Sequence, residues 1–233
     1  MIKIEHFTFN TFQTRCSVVW EDERKCVIVD PGCSSEHELE AITSFIAAED
    51  LEPQGIMLTH CHFDHIYGMA RLARKYDIPV YVHPAERHTL EKTNPYICQA
   101  FGLPLPEAFP IVAEGELAGT DAAAIFVKDG DIIKVGTLRF EVMETPGHTT
   151  GGVCFLERNE KVLFSGDTLF AGAIGRTDHP GGDYDMIMKS IFEKLMHLDG
   201  DICVIPGHGP VTDIATERMT NPFLLPFNEP NEE

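Results

Sequence analysis

Thr59-His60-Cys61-His62-Phe63-Asp64-His65 decides how the chain is read. Three imidazoles and one carboxylate stand within six residues, His60 to His65. His60 and His62 are two apart, so on extended backbone they point to the same side. Asp64 and His65 are adjacent and must diverge. Two groups of ligands aimed at two points follow: one metal between His60 and His62, a second reached by Asp64 and His65. The spacing is not His-x-x-x-His, so this is not the helical zinc site of a metalloprotease.

An isolated His-x-His can sit in a polar loop and bind nothing. This run follows Ile56-Met57-Leu58, which reads as a buried strand. Ionisable groups at the end of a buried strand are costly unless something compensates them. Beyond Asp64, the apolar positions Ile66, Met69, Leu72 and Ala73 repeat at helical spacing. His65 is therefore expected in a first helical turn, with Asp64 as its N-cap.

Upstream, Ile2 to Phe9, Cys16 to Trp20 and Cys26 to Val29 read as strands, the last fully apolar and so central. It ends in the turn Asp30-Pro31-Gly32. Ser35 and Glu38 have capping-box spacing before a helix expected to reach Ala48. Downstream come Pro79 to Val82, a β-rich stretch from Ile125 to Glu144, a strand pair at Val153 to Leu156 and Val162 to Ser165, a helix over roughly Tyr184 to Leu198, a strand Ile202 to Ile205, and a short helix stopped by Asn221-Pro222. Residues 94–124 are rich in proline, glycine and alanine. They are expected to be an insertion or a lid within one domain spanning 1–233.

Length and composition agree with such a domain. The 233 residues are 43% hydrophobic and 24% charged, ordinary for a globular protein. A chain this long buries roughly 70% of its unfolded surface. The net charge of −19 opposes binding to a nucleic-acid backbone. No apolar run is long enough to span a membrane, and Met1 to Phe7 does not resemble a secretory signal. The seven cysteines (Cys16, Cys26, Cys33, Cys61, Cys98, Cys154 and Cys203) are scattered without Cys-x-x-Cys. Reduced thiols and a cytoplasmic location are expected. Monomer and homodimer both remain open.

Three further candidates lie beside glycine or proline after predicted strands: His148, Asp167 and His208. Alone, each has a plainer reading as a turn residue. His6, His37, His83, His88, His179 and His197 match no such pattern and are read as loop or surface histidines. The set carries the weight. His60, His62, Asp64, His65, His148, Asp167 and His208 supply two three-ligand groups and one carboxylate able to bridge. A dinuclear site of this kind generates a hydroxide nucleophile at neutral pH and polarises a carbonyl under attack. Cys61 lies between ligands, but alternation points it away from His60 and His62, and a structural role is expected.

His60-x-His62-x-Asp64-His65, Pro146-Gly147-His148-Thr149, Ser165-Gly166-Asp167-Thr168 and Pro206-Gly207-His208-Gly209, in this order, resemble the metallo-β-lactamase-fold hydrolase superfamily. The resemblance implies an α+β fold, a four-layer αββα sandwich of two mixed β-sheets flanked by helices. It implies that His60, His62 and His148 hold one metal and that Asp64, His65 and His208 hold the other. Asp167 would bridge them, with Asp64 also orienting the hydroxide as the catalytic carboxylate. Two divalent ions, zinc first and iron or manganese as alternatives, are the implied cofactors.

The segment Asp167 to Asp178 resembles the glyoxalase II-related branch, which hydrolyses thioesters such as S-lactoylglutathione. Only 25 residues follow His208 (233 − 208), so the C-terminal helical domain of longer relatives is expected to be missing. A small thioester is the expected substrate. Arg176 is a candidate partner for a substrate carboxylate or for Asp178. Tyr67 stands where many relatives have glycine and is a candidate for narrowing the pocket. The alternatives are a lactonase of the same fold and a persulfide dioxygenase, which holds one iron by the equivalents of His60, His148 and Asp167. A secreted β-lactamase resembles the chain less, having a cysteine where Asp167 stands.

Overall fold

A computed structural model describes residues 1–87, 98 and 124–225. The apolar runs become strands buried on both faces, as sheets covered on both sides require. One six-stranded sheet is ordered β1 (Lys3–Phe9), β2 (Thr14–Trp20), β3 (Lys25–Val29), β4 (Glu52–Met57), β5 (Val80–Val82) and β6 (Ala124–Phe126). The chain enters it antiparallel and becomes parallel from β3 onward. The second holds β7 (Ile132–Val135), β8 (Leu138–Glu144), β9 (Val153–Glu157), β10 (Val162–Gly166), β13 (Cys203–Pro206) and β14 (Thr212–Asp213), with only β10 and β13 parallel. A hairpin of β11 (Leu169–Phe170) and β12 (Ala173–Ile174) stands apart.

Strand alternation sorts side chains into three cores. On β3, Cys26 and Ile28 face helix α1 (Glu36–Ala48) and helix α3 (Met69–Tyr76), while Val27 and Val29 face the second sheet. On β9, Val153 and Phe155 point between the sheets, and Cys154 and Leu156 point outward. The outward side packs on α4 (Tyr184–Ser190), its π-helical continuation Ile191–Leu195, and α5 (Ile214–Thr220). The result is the four-layer αββα sandwich of two mixed sheets. Phe140, Phe155 and Phe164 fill its middle, each contributing about 1.5–3 kcal/mol by burial.

The capping box forms as read: Ser35 Oγ accepts from Glu38 N, and the Glu38 carboxylate accepts from Ser35 N. The N-cap expectation for Asp64 fails. Helix α2 (Phe63–Ile66) starts at His62, in extended conformation, and Asp64 lies inside the first turn. The Asp64 carboxylate accepts from Thr14 Oγ1 instead, 2.7 Å away. The helix expected from Tyr184 to Leu198 narrows to α4 and a wider π turn ending at Leu195.

β8 and β10 both run antiparallel to β9, and β13 runs parallel to β10, so β8, β10 and β13 end at one edge. β3 and β4 end together in the other sheet. The candidate residues follow these strand ends.

Candidate metal centre

All seven predicted residues meet in one cluster. His60 with His62 and His148 form one group, and Asp64 with His65 and His208 another. His60 with His65 and Asp167 form a third that links them. His62 Nδ1 lies 3.1 Å from His60 Nε2 and 2.9 Å from His148 Nε2. His65 Nε2 and His208 Nε2 are 3.2 Å apart, and Asp64 Oδ2 is 3.5 and 3.4 Å from them. Donors at 2.0–2.1 Å around one tetrahedral cation stand about 3.3 Å apart, so both groups have the spacing a metal needs. Asp167 faces both: Oδ2 is 3.5 Å from His148 Nε2 and from His208 Nε2, and Oδ1 is 3.4 Å from His65 Nε2.

The ring tautomers follow from the outer partners. His148 Nδ1 donates to the Arg176 carbonyl at 2.8 Å, and His208 Nδ1 to the Phe12 carbonyl at 3.0 Å. His65 Nδ1 faces Asp30 Oδ2 at 3.2 Å, and His60 Nδ1 faces Thr59 Oγ1 at 3.1 Å. With the outer nitrogen protonated, each Nε2 turns a lone pair inward. Asp30 also accepts from Thr59 N and Thr59 Oγ1, at 2.8 and 2.6 Å. Asp167 Oδ1 is buried and accepts no hydrogen bond. Inward lone pairs around an orphaned buried carboxylate oxygen fit a divalent cation, which would satisfy them together.

The two groups differ electrostatically. Burial, joined by neighbouring histidines, lowers His60 well below its usual value and His62 to about 3. Burial likewise lowers His148. Burial also opposes charge on His65 and His208. Facing carboxylates outweigh it and push His65 up to about 9 and His208 up to about 11. Burial would raise the Asp64 carboxyl, but His65, His208 and Thr14 hold it down to about 2. The second group is thus built to surround positive charge.

Glycine lets these loops approach. A Cβ on Gly207 would stand 2.4 Å from Asp167 Oδ1 and 2.6 Å from His65 Cε1. Gly166, at φ +48, would meet the Thr59 side chain.

Residues 10–208 match the metallo-beta-lactamase superfamily. The chain belongs to the metallo-β-lactamase superfamily. It is 36% identical to the hydroxyacylglutathione hydrolase GloC of Haemophilus influenzae over 223 residues, covering 96% of this chain and 98% of that protein. The crystal structure of the BLEG-1 B3 metallo-beta-lactamase superposes with a TM-score of 0.81 at 36% identity, covering 96% of this chain and 99% of that one. TTHA1623, solved in a di-iron-bound form, gives 0.79 at 33% identity, covering 94% and 100%.

The remaining metallo-β-lactamase-fold expectations divide. Arg176 is exposed and forks onto Asp178 at 2.8 and 3.1 Å. Tyr67 is 5% exposed, its hydroxyl 3.8 Å from Cys98 Sγ. Cys61 is buried, and burial pushes its thiol well above the usual range. The insertion or lid at 94–124 lies outside the described residues, apart from Cys98 and Ala124. Among the described residues no helix is long and apolar enough to cross a membrane.

Several residues at the site were not singled out from sequence. His179, read as a loop histidine, packs edge-on against His62 and His148 with ring centroids 4.9 Å away. Asp30, read only as a turn residue, ends a buried strand, as Asp167 does, and that position was its signal. Glu86 is fully buried and accepts from Cys61 N, Thr149 Oγ1 and Gly151 N at 2.7, 2.5 and 2.9 Å. It ties the loop of His60 and His62 to that of His148, and sequence offered no signal for it.

Proposed function

We propose that the chain is a dinuclear metal-dependent thioester hydrolase of the hydroxyacylglutathione hydrolase type, acting in the cytoplasm on a small-molecule thioester. The observation that carries this is Asp167, whose two oxygens face both three-residue groups at once. His60, His62 and His148 would hold one ion and Asp64, His65 and His208 the other, with Asp167 bridging. A bound metal pair supplies a hydroxide nucleophile at neutral pH and polarises the carbonyl under attack. The chain's own residues then orient and exclude. Asp64, held by Thr14, would orient the nucleophile through a carboxylate that stays ionised. The outer partners Asp30, Thr59, Arg176 O and Phe12 O fix the imidazole planes. The substrate class is supported by the near full-length likeness to the GloC hydrolase. Zinc is the proposed metal. Iron is the second choice, because TTHA1623 was solved with two irons.

The test is metal quantification on purified protein beside a panel of S-lactoylglutathione, other thioesters, a lactone, a β-lactam and glutathione persulfide. Two metals per chain with thioester turnover are expected. A single iron with oxygen uptake on the persulfide would overturn the proposal in favour of a dioxygenase.

A further inference from the structure

The turn joining β1 to β2, together with the first two residues of β2, supplies none of the seven residues above, yet it grips one half of the cluster. Thr14 Oγ1 donates to Asp64 Oδ2 at 2.7 Å. Asn10 Nδ2 donates to the Asp64 carbonyl at 2.9 Å. The Phe12 carbonyl receives His208 Nδ1. Arg15 encloses the His208 loop: its backbone N–H donates to Gly207 O at 2.7 Å, Nη1 to Pro206 O at 2.7 Å and Nη2 to Gly209 O at 2.6 Å. One guanidinium thus fixes carbonyls on both sides of His208. None of these bonds goes to His60, His62 or His148. That group is anchored from other parts of the chain, by the Arg176 carbonyl, by Glu86 bridging Cys61 to Thr149 and Gly151, and by Thr59, whose partner Asp30 also faces His65.

From this division of supports we infer that Thr14 and Arg15 are positioning residues for the second ion alone, and set whether the chain holds one metal or two. The inference rests on the metal-pair reading above. Its physical basis is that ligands left without their outer hydrogen bonds lose orientation, at roughly 10–100-fold in metal affinity. Thr14 acts on the oxygen that faces His65 and His208, and Arg15 on the backbone that carries His208. Thr14→Val removes a donor to Asp64 at nearly unchanged volume and without changing charge. Arg15→Met removes the guanidinium clamp and keeps an unbranched apolar stem.

The experiment titrates metal-stripped full-length protein with zinc by calorimetry and with cobalt(II) by visible absorption. Wild type, Thr14→Val, Thr14→Ser, Arg15→Met and His208→Ala are compared, the last to define loss of the second group. Wild type is expected to take up two ions. In Thr14→Val and Arg15→Met one step should weaken by roughly 10-fold or more, as outer-partner loss predicts. The other step should stay within about 2-fold, well short of that loss. The cobalt spectrum of the tight ion should match that of His208→Ala. Thr14→Ser should restore the second step. Two wild-type affinities in the valine and methionine variants, or parallel weakening of both steps, would overturn the inference and leave the metal pair standing. Fewer than two ions in wild type would overturn the metal-pair reading, and the inference with it.

Discussion

Replacing Glu86 by glutamine tests the clamp between the two loops that present His60, His62 and His148. The carboxylate accepts three hydrogen bonds: Thr149 Oγ1 and Gly151 N reach Oε1, and Cys61 N reaches Oε2. A glutamine amide has one acceptor oxygen. Its best orientation leaves that oxygen on the Thr149 and Gly151 side and turns an NH2 towards the Cys61 N–H. The Cys61 N–H is then orphaned, at about 1–3 kcal/mol, and faces the amide NH2, itself a donor. Part of this is offset, because burial already pushes the Glu86 carboxyl above its usual range and glutamine removes that charge. For a chain of this size each kcal/mol shifts the melting temperature by about 2–4 °C, so the orphaned donor alone is worth about 2–12 °C and the offset brings the expected fall into the lower part of that range. Glu86→Ala orphans all three donors and should melt lower still. Circular dichroism melts on metal-loaded and metal-stripped protein read both effects. A Glu86→Gln protein melting within about 1 °C of wild type would refute the assignment of the clamp.

Other perturbations probe the cluster itself. Gly207→Ala places a methyl group 2.4 Å from Asp167 Oδ1 and 2.6 Å from Cε1 of the fully buried His65. Metal analysis should show loss of an ion and turnover should fall at least about 10-fold, as for displaced ligands generally; unchanged stoichiometry would contradict the packing. Asp167→Ala is expected to lose both metal and turnover, and near-normal turnover would exclude its bridging role. In metal-stripped protein, His65 and His208 stand above their usual 6.5, at about 9 and about 11. A raised value means stability that is complete below pH 6.5 and lost as pH rises through about 9 for His65 and about 11 for His208. The melting temperature should therefore fall as pH rises above 6.5, and His65→Asn should make that fall shallower while leaving the share that His208 contributes.

Much of this architecture was legible because strands buried on both faces must be apolar throughout. Cys26 to Val29, Val153 to Leu156 and Val162 to Ser165 announce themselves in that way. The candidate ligands were legible as a set, because seven ionisable residues after strands supply two three-ligand groups and one carboxylate able to bridge. The supports were not. Thr14 reaches Asp64 across 50 residues, and Arg15 reaches Pro206 across 191, and no local pattern encodes such pairs. His179 belongs to a polar loop until folding lays it against His62 and His148. Asp64 was misplaced as a helix cap because capping is judged from neighbours along the chain, whereas its carboxylate is committed to partners from other strands.

Each sheet draws on one continuous half of the chain, residues 3–126 for the first and 132–213 for the second. Most strand pairings inside a half are local enough to form early. The cluster joins His60 to His148 and His65 to His208, so it exists only once the halves have docked. Contacts of such long sequence separation come late and slowly. In refolding, the cobalt absorption band should trail the recovery of sheet signal, making the metal centre a reporter of the final docking step.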